Sequence, residues 1–348
     1  MNSQNPAMDS LSFRNRRFTR PTFLFFVFLV LLLALFAGLR SGDWVTDLYG
    51  YRAWYAENYR IQELLAKPAL AFQRDPAYFF LTSFFLSIKV PFELFLFGYA
   101  LVCVSLKVKG IVKMSNAPYW SLLLYGSTFY MLHELVQIRA GAASALFLLG
   151  IPFLVQGRRT AYVLLILLAS CFHYSALTLL PLAFLQNQEE KPRWYLIILL
   201  LSLIGAASGV TLSFLIQHLP GADADARMAI YLLEAENNFT AVHIFNRVSI
   251  PNFLLAVALL LNFKELKNRT PYASHIIRIF TLSQIIFYIF SGFAIFAFRL
   301  SELMGVVSII AWPLAGYLIR RPWLRTLLFT AVILNFLSAT VQIFNPIV

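Results

Sequence analysis

The stretch His133-Glu134-Leu135-Val136-Gln137-Ile138-Arg139-Ala140-Gly141 brings an imidazole, a carboxylate, an amide and a guanidinium close together in an otherwise apolar region. A guanidinium can grip a phosphate by two parallel hydrogen bonds. Gln137 and Arg139 flank a turn that also carries Glu134, and Gly141 and Ala142 allow close packing there. The competing reading is an arginine that snorkels at a helix end and pairs with Glu134. His173 lies in Cys171-Phe172-His173-Tyr174-Ser175. A neutral imidazole can take a proton from a hydroxyl or hydrogen-bond a phosphate oxygen; it can equally donate to a neighbouring helix carbonyl. Arg299 and Glu302, at i and i+3 where one helix is expected to end and the next to begin, either contact a ligand or fix that turn as a salt bridge. A fourth group, Asp43, Asp47, Tyr49, Arg52 and Tyr55, mixes carboxylates with aromatic rings. Carboxylates accept hydrogen bonds from sugar hydroxyls and rings stack on their C–H faces; the same composition also suits an amphipathic helix at a membrane interface.

Other patterns point away from familiar chemistries. Asp223-Ala-Asp225 has the spacing that chelates a metal for nucleotide-sugars, but no nucleotide-binding pattern surrounds it. Asn238-Phe-Thr240 and Asn268-Arg-Thr270 match glycosylation sequons, which arise often by chance. No P-loop, GxSxG, HExxH or CxxC pattern occurs, which argues against ATP hydrolysis and against serine or zinc hydrolysis. Cys103 and Cys171 lie inside apolar stretches and supply neither a disulfide framework nor metal-ligand spacing. No cofactor or metal is expected.

The elements that position these residues follow from composition. Of 348 residues, 60% are hydrophobic and 13% charged, about half the charge of a soluble chain. Runs without Asp, Glu, Lys or Arg cover 21–39, 114–133, 140–157, 160–188, 194–222, 248–263, 279–298, 303–319 and 326–348. Roughly 20 apolar residues cross a bilayer as a helix. The expectation is therefore an all-α integral membrane protein, a polytopic bundle of about nine spanning helices plus one or two partial or re-entrant ones. It is read as a single transmembrane domain over 1–348.

The net charge of +12 is an orientation signal, with no nucleic-acid partner implied. Basic residues cluster between alternate runs, at Arg14 to Arg20, Lys107 to Lys113, Arg158–Arg159, Lys191–Arg193, Lys264 to Arg269 and Arg320 to Arg325. This is the positive-inside pattern. It puts a tail over 1–19 in the cytoplasm, and 41–89 and 216–248 on the outer side. The first run follows four arginines as a signal peptide would, but it is long for one and shows no clear cleavage site, so it reads as a retained helix over about 20–40. Residues 76–88 are too short to span and read as a partial helix before Pro91. A helix over about 90–108 then returns inward, and 117–133 and 140–156 form an out-and-back pair. The run 160–186, basic at both flanks, fits a broken re-entrant hairpin with His173 near its tip; one long span is the alternative. Helices over about 194–215, 249–263, 273–297, 302–319 and 325–345 complete the set.

Taken in order, the motifs resemble a known family. An Asp-x-Tyr segment (Asp47, Tyr49) precedes an acidic-Pro-x-Tyr element, Asp75-Pro-Ala-Tyr78. Gln137-Ile-Arg139 then opens an Ala-rich helix, and Phe172-His173-Tyr174-Ser175 follows. This order is similar to the EpsG-like branch of the Wzy-type polysaccharide polymerases, over roughly residues 20–186, with Arg299 agreeing loosely beyond. The family element is usually Glu-Pro-Gly-Tyr, so Asp75 has a shorter reach. The resemblance implies a GT-C-like fold in the bacterial inner membrane, with the active site facing the periplasm. It implies transfer of a glycan from an undecaprenyl-diphosphate donor to a lipid-linked repeat unit, and a chain-length regulator as partner. Arg139 first and Arg299 second would stabilise the diphosphate. The general base would be Glu134, His173 or Asp47, in no fixed order. Gln137, Tyr49, Arg52, Asp75, Tyr78 and Glu302 complete the expected binding set, and inversion by single displacement the expected chemistry.

Other classes compete. An O-antigen ligase or a transferase using a single sugar on polyprenyl phosphate would use an acidic pair such as Asp43 and Asp47. A lipid-glycan flippase would show internal repeats and midplane charges, and neither is visible. An O-acyltransferase could use His173, but no route for an acyl donor is apparent.

Overall fold

The computed structural model describes residues 19–40, 46–72, 75–185, 191–212 and 242–344. Asp43, the Asp223-Ala-Asp225 pattern and the Asn238 sequon lie outside them. Among the described residues every regular element is a helix. Besides a few helices of three to six residues, they are α1 (Arg20–Leu39), α2 (Thr46–Ala56), α3 (Pro76–Ser87), α4 (Phe92–Met114) and α5 (Pro118–Tyr125). A π-helical segment (Gly126–Val136) continues α5, and α6 (Ile138–Val155) and α7 (Arg159–Phe172) follow. A 3-10 limb (Tyr174–Phe184) leads to α8 (Pro192–Ala207), α9 (Ser249–Leu261), α10 (Ala273–Ile289), α11 (Ala294–Gly305), α12 (Ser308–Ala315) and α13 (Pro322–Phe344).

Four of these helices are long and apolar enough to cross a membrane: α1, α4, α6 and the stretch Pro322–Gln342 of α13. Phe296–Gly305 with Ser308–Leu318 makes a fifth if that pair, bent by 58°, is one broken span. Six shorter apolar helices accompany them. The chain is thus a multi-pass helical membrane protein. Burial separates the centre from the periphery: 72% of the apolar window of α6 is buried against 28% for α1 and 22% for α13. The difference follows from side-chain size. The first turns of α6 read Ala140-Gly141-Ala142-Ala143-Ser144-Ala145, and small residues let neighbouring backbones approach closely. By contrast α1 is Phe- and Leu-rich, with large side chains such as Phe23, Leu24, Phe28 and Leu39 exposed, as a lipid-facing surface requires.

The structure corrects three element expectations. The helix expected to end near 108 continues to Met114, since no proline interrupts it. Lys107 therefore lies within α4 and is wholly buried; it is not a loop cation. The helix expected over 117–133 is α-helical only to Tyr125, after which the bonding becomes π-type and runs to Val136. The expected boundary between Arg299 and Glu302 is also absent, because both lie in α11.

Residues 160–185 fold back on themselves, as the hairpin reading expects and the single long span does not. The α-helix stops at Phe172, His173 is extended (φ −157°, ψ 112°), and the chain returns as the 3-10 limb. The Tyr162 hydroxyl, near the start of α7, donates to the Leu179 carbonyl at 2.8 Å and ties the two limbs together. The α6–α7 turn before this hairpin uses Gly157 at φ +73°, a conformation that glycine adopts without steric penalty.

Candidate active site

The π segment sets the geometry. Its bonding reaches from Gln137 N–H back to the Leu132 carbonyl (2.7 Å), and the wider turn frees carbonyls and redirects side chains; such segments are rare and recur at functional sites. Side-chain hydrogen bonds tie the segment to other elements. The Thr340 hydroxyl of α13 donates to the Ser127 carbonyl at 3.1 Å, and the Tyr130 hydroxyl reaches the Leu33 carbonyl of α1 at 2.7 Å. Consecutive residues then face different neighbours. His133 Nε2 contacts Glu302 Oε1 of α11 at 2.6 Å, while its Nδ1 meets the Ser144 hydroxyl of α6 at 3.0 Å. Glu134 forms an ion pair with Lys107 and accepts a hydrogen bond from the Tyr125 hydroxyl at 3.0 Å. Both members of that ion pair are fully buried. Gly141 lets α6 press against this segment, because a Cβ there would stand 2.6 Å from the His133 carbonyl oxygen.

Arg139 does not pair with Glu134. Its partner is Asp75, the N-cap residue of α3, so the shorter carboxylate of the Asp-Pro-x-Tyr element does reach a cation. The other Asp75 oxygen accepts the Tyr174 N–H at 3.2 Å, which fastens the carboxylate to the break in the α7 hairpin. Two rings of α2 cover the guanidinium, Trp54 at 5.1 Å and Tyr51 at 5.8 Å from centroid to Cζ. Burial pushes the Tyr51 phenol above its ordinary range, and the adjacent guanidinium pulls it partly back. His173 sits within the electrostatic reach of Asp75, Arg139, Arg299 and Glu302. Its Nδ1 is buried with no hydrogen-bond partner among the described residues.

The remaining sequence candidates are placed differently. Gln137 forms the joint between the π segment and α6, and Tyr78 is buried in the aromatic cluster with Tyr51, Phe95 and Tyr99. Asp47 and Tyr49 lie exposed on α2. Arg52, also on α2, bonds Glu93 at 2.8 Å on the surface and stacks over Phe92. Glu302 does not close on Arg299 as a turn-fixing pair; its close partner is His133. It also lines a cavity of about 420 Å³, with Phe129, Phe280, Gln284, Phe287 and Phe298 among its walls. That volume and mostly apolar wall suit an organic ligand.

Sequence reasoning did not single out Arg40, Tyr51, Trp54 or Lys107 for this site, and it noted His133 in the cluster without giving it a role. Arg40 carried one usable signal, a basic residue directly at the outer end of an apolar run, against the charge pattern. Lys107 carried none, since its charge matched the loop signature.

A family model matches the chain over residues 23–346, nearly its whole length, and that model describes the EpsG family. The chain belongs to the EpsG family. The match extends well past the motif-bearing first half, so α9 to α13 fall within it as well. No curated protein and no solved structure matches the chain. Membership suggests polysaccharide polymerisation in a membrane.

Proposed function

We propose that this EpsG protein is an inverting polysaccharide polymerase that joins two lipid-linked glycans at the periplasmic face of the bacterial inner membrane. The observation that carries the reading is the junction of Arg139 with Asp75 and His173, drawn from α6, α3 and the α7 break. A guanidinium held from one side keeps donors for a leaving diphosphate, and preorganised positive charge at a leaving group lowers the barrier. Arg139 receives this role, with Arg299 supporting it.

His173 is the proposed base. Its free Nδ1 takes the proton from the acceptor hydroxyl while that oxygen attacks the anomeric carbon. The bond from carbon to diphosphate oxygen breaks on the opposite face, and the electron pair leaves on the diphosphate. Glu134, already engaged by Lys107 and Tyr125, becomes a structural anion. Asp47, with Tyr49 and Arg52 on α2, belongs to a sugar-binding rim. The cavity beside Glu302 would receive the acceptor unit.

The reading includes further expectations: undecaprenyl diphosphate as the carrier, no metal where arginines neutralise the diphosphate, a cytoplasmic N-terminus, and a separate chain-length regulator. A GT-C-like bundle of about nine spans remains its architectural counterpart. The test is elongation of a purified undecaprenyl-diphosphate repeat unit in nanodiscs. A ladder of longer lipid-linked products, lost in folded Arg139→Ala, supports the reading; a product that retains the donor configuration overturns the displacement. Absence of a ladder with the host's own repeat unit favours a ligase, which would use the same donor side with another acceptor.

A further inference from the structure

Six buried polar atoms without a partner among the described residues collect around the Arg139 end of the bundle: Nε and Nη2 of Arg40, the hydroxyls of Tyr78 and Tyr99, Nε of Arg139, and Nδ1 of His173. Buried polar groups are almost always paired, and leaving one unpaired is destabilising. Most of the six are N–H or O–H groups, so a ligand that satisfies them must be rich in acceptors.

Arg40 stands out among them. It follows α1 directly and is only 6% exposed. One nitrogen, Nη1, donates to the Ala37 carbonyl at the end of its own helix, which leaves the other two unsatisfied. Simple snorkelling would put this head group in water, and here it is buried. Tyr51, Tyr78, Tyr130 and Glu134 are the groups within its electrostatic reach. Tyr51 and Tyr78 also face Arg139, so both guanidinium groups flank the same two phenols.

Charge makes the same point. Arg139 is matched by Asp75, and Lys107 by Glu134. Among the described residues no carboxylate contacts Arg40, so this buried group of described side chains holds one cation more than it holds contacting carboxylates. A diphosphate bears more negative charge than the already matched Arg139 can neutralise alone.

We propose that Arg40 is a second anion-binding guanidinium, which closes with Arg139 on the diphosphate of a lipid-linked substrate while the Tyr78 and Tyr99 hydroxyls donate to its oxygens. The inference rests on the polymerase reading only for the identity of the lipid tail. Trp54 and Tyr51 cover Arg139, so an entering diphosphate displaces at least one of these rings.

The test measures binding of undecaprenyl diphosphate to the full-length protein in nanodiscs, with undecaprenol and inorganic pyrophosphate as separate probes. Wild type should prefer the diphosphate lipid to undecaprenol, and Arg40→Gln should weaken that binding about tenfold or more without changing undecaprenol binding. Arg40→Lys should retain part of the affinity. Tyr78→Phe with Tyr99→Phe removes only unpaired hydroxyls, so it should fold as wild type and still bind more weakly. Inorganic pyrophosphate that competes in wild type but not in Arg40→Gln would support a site for the diphosphate itself, whether free or lipid-linked.

Unchanged affinity in folded Arg40→Gln overturns the proposal. If that variant does not fold, unchanged affinity in both Arg40→Lys and the double phenylalanine variant overturns it equally, and so does a wild type with no preference for diphosphate. A protein that binds through Arg40 yet elongates nothing would sink the polymerase reading and leave this site standing.

Discussion

Arg139 and Asp75 lie 64 residues apart in the chain and form an ion pair at the break of the α7 hairpin. Asp75 is almost fully buried, while the Arg139 side chain keeps 24% of its surface exposed. The carboxylate therefore acts as the anchor and the guanidinium as the group that faces outward. Arg139→Lys keeps the charge and loses the planar fork, so elongation should fall roughly 100-fold, in the range seen when one preorganised donor is removed. Asp75→Asn should lower elongation less and reduce the melting temperature, since it leaves Arg139 misplaced but present. Initial-rate measurements on both variants, with thermal unfolding in detergent, check the order.

His173 is expected to act only when its imidazole is neutral. Elongation by wild type should therefore fall toward low pH, as protonation removes the acceptor Nδ1, and level off once the ring is neutral. His173→Gln should lower kcat by about 100- to 10,000-fold and abolish that acid limb, with binding of the diphosphate lipid retained. A pH–rate profile that keeps the same acid limb in the variant would assign the proton to another group.

The Lys107–Glu134 pair is sealed in the bundle, so removing one partner strands a charge. Lys107→Met alone, or Glu134→Gln alone, should destabilise by about 3–5 kcal/mol. The double variant Lys107→Met with Glu134→Gln should recover much of that loss, because no uncompensated charge remains. Thermal unfolding of the three variants measures the difference. Recovery of elongation in the double variant would separate a structural Glu134 from a catalytic one.

Gly141 sits where α6 touches the π segment. Gly141→Ala places a methyl group against the His133 carbonyl and forces the segment outward. Overpacking of this kind costs typically 1–3 kcal/mol, and here it also moves His133 away from Glu302. Both a lower melting temperature and reduced elongation are expected, whereas Gly126→Ala, with open space around its Cβ position, should leave packing unchanged.

Much of this protein was legible from the order of its residues. Long apolar runs made helices unavoidable, since hydrocarbon offers no partner for an open backbone. The motif order from Asp47 to His173 marked the family that the match over 23–346 establishes. The 160–186 run, too short for two spans and long for one, indicated a break near His173, where the α-helix in fact ends. Pairing was a different matter. Glu134 and Arg139 are close in sequence, yet they point to Lys107 and Asp75 because the chain changes from π to α bonding at Gln137. Hydropathy carries no record of that change, which depends on how tightly Gly141 lets α6 approach. Lys107 looked like a loop cation because its type and neighbours fit one; only the continuation of α4 put it inside. Arg40, an exception to the charge pattern in the sequence, became a candidate ligand group only when its burial and its two nitrogens without a partner among the described residues were visible. Composition and order determine which residues enter the membrane and which family they form. Which charges meet is decided by close packing between distant helices, because ion pairs depend on ångström-scale distances that no linear spacing encodes.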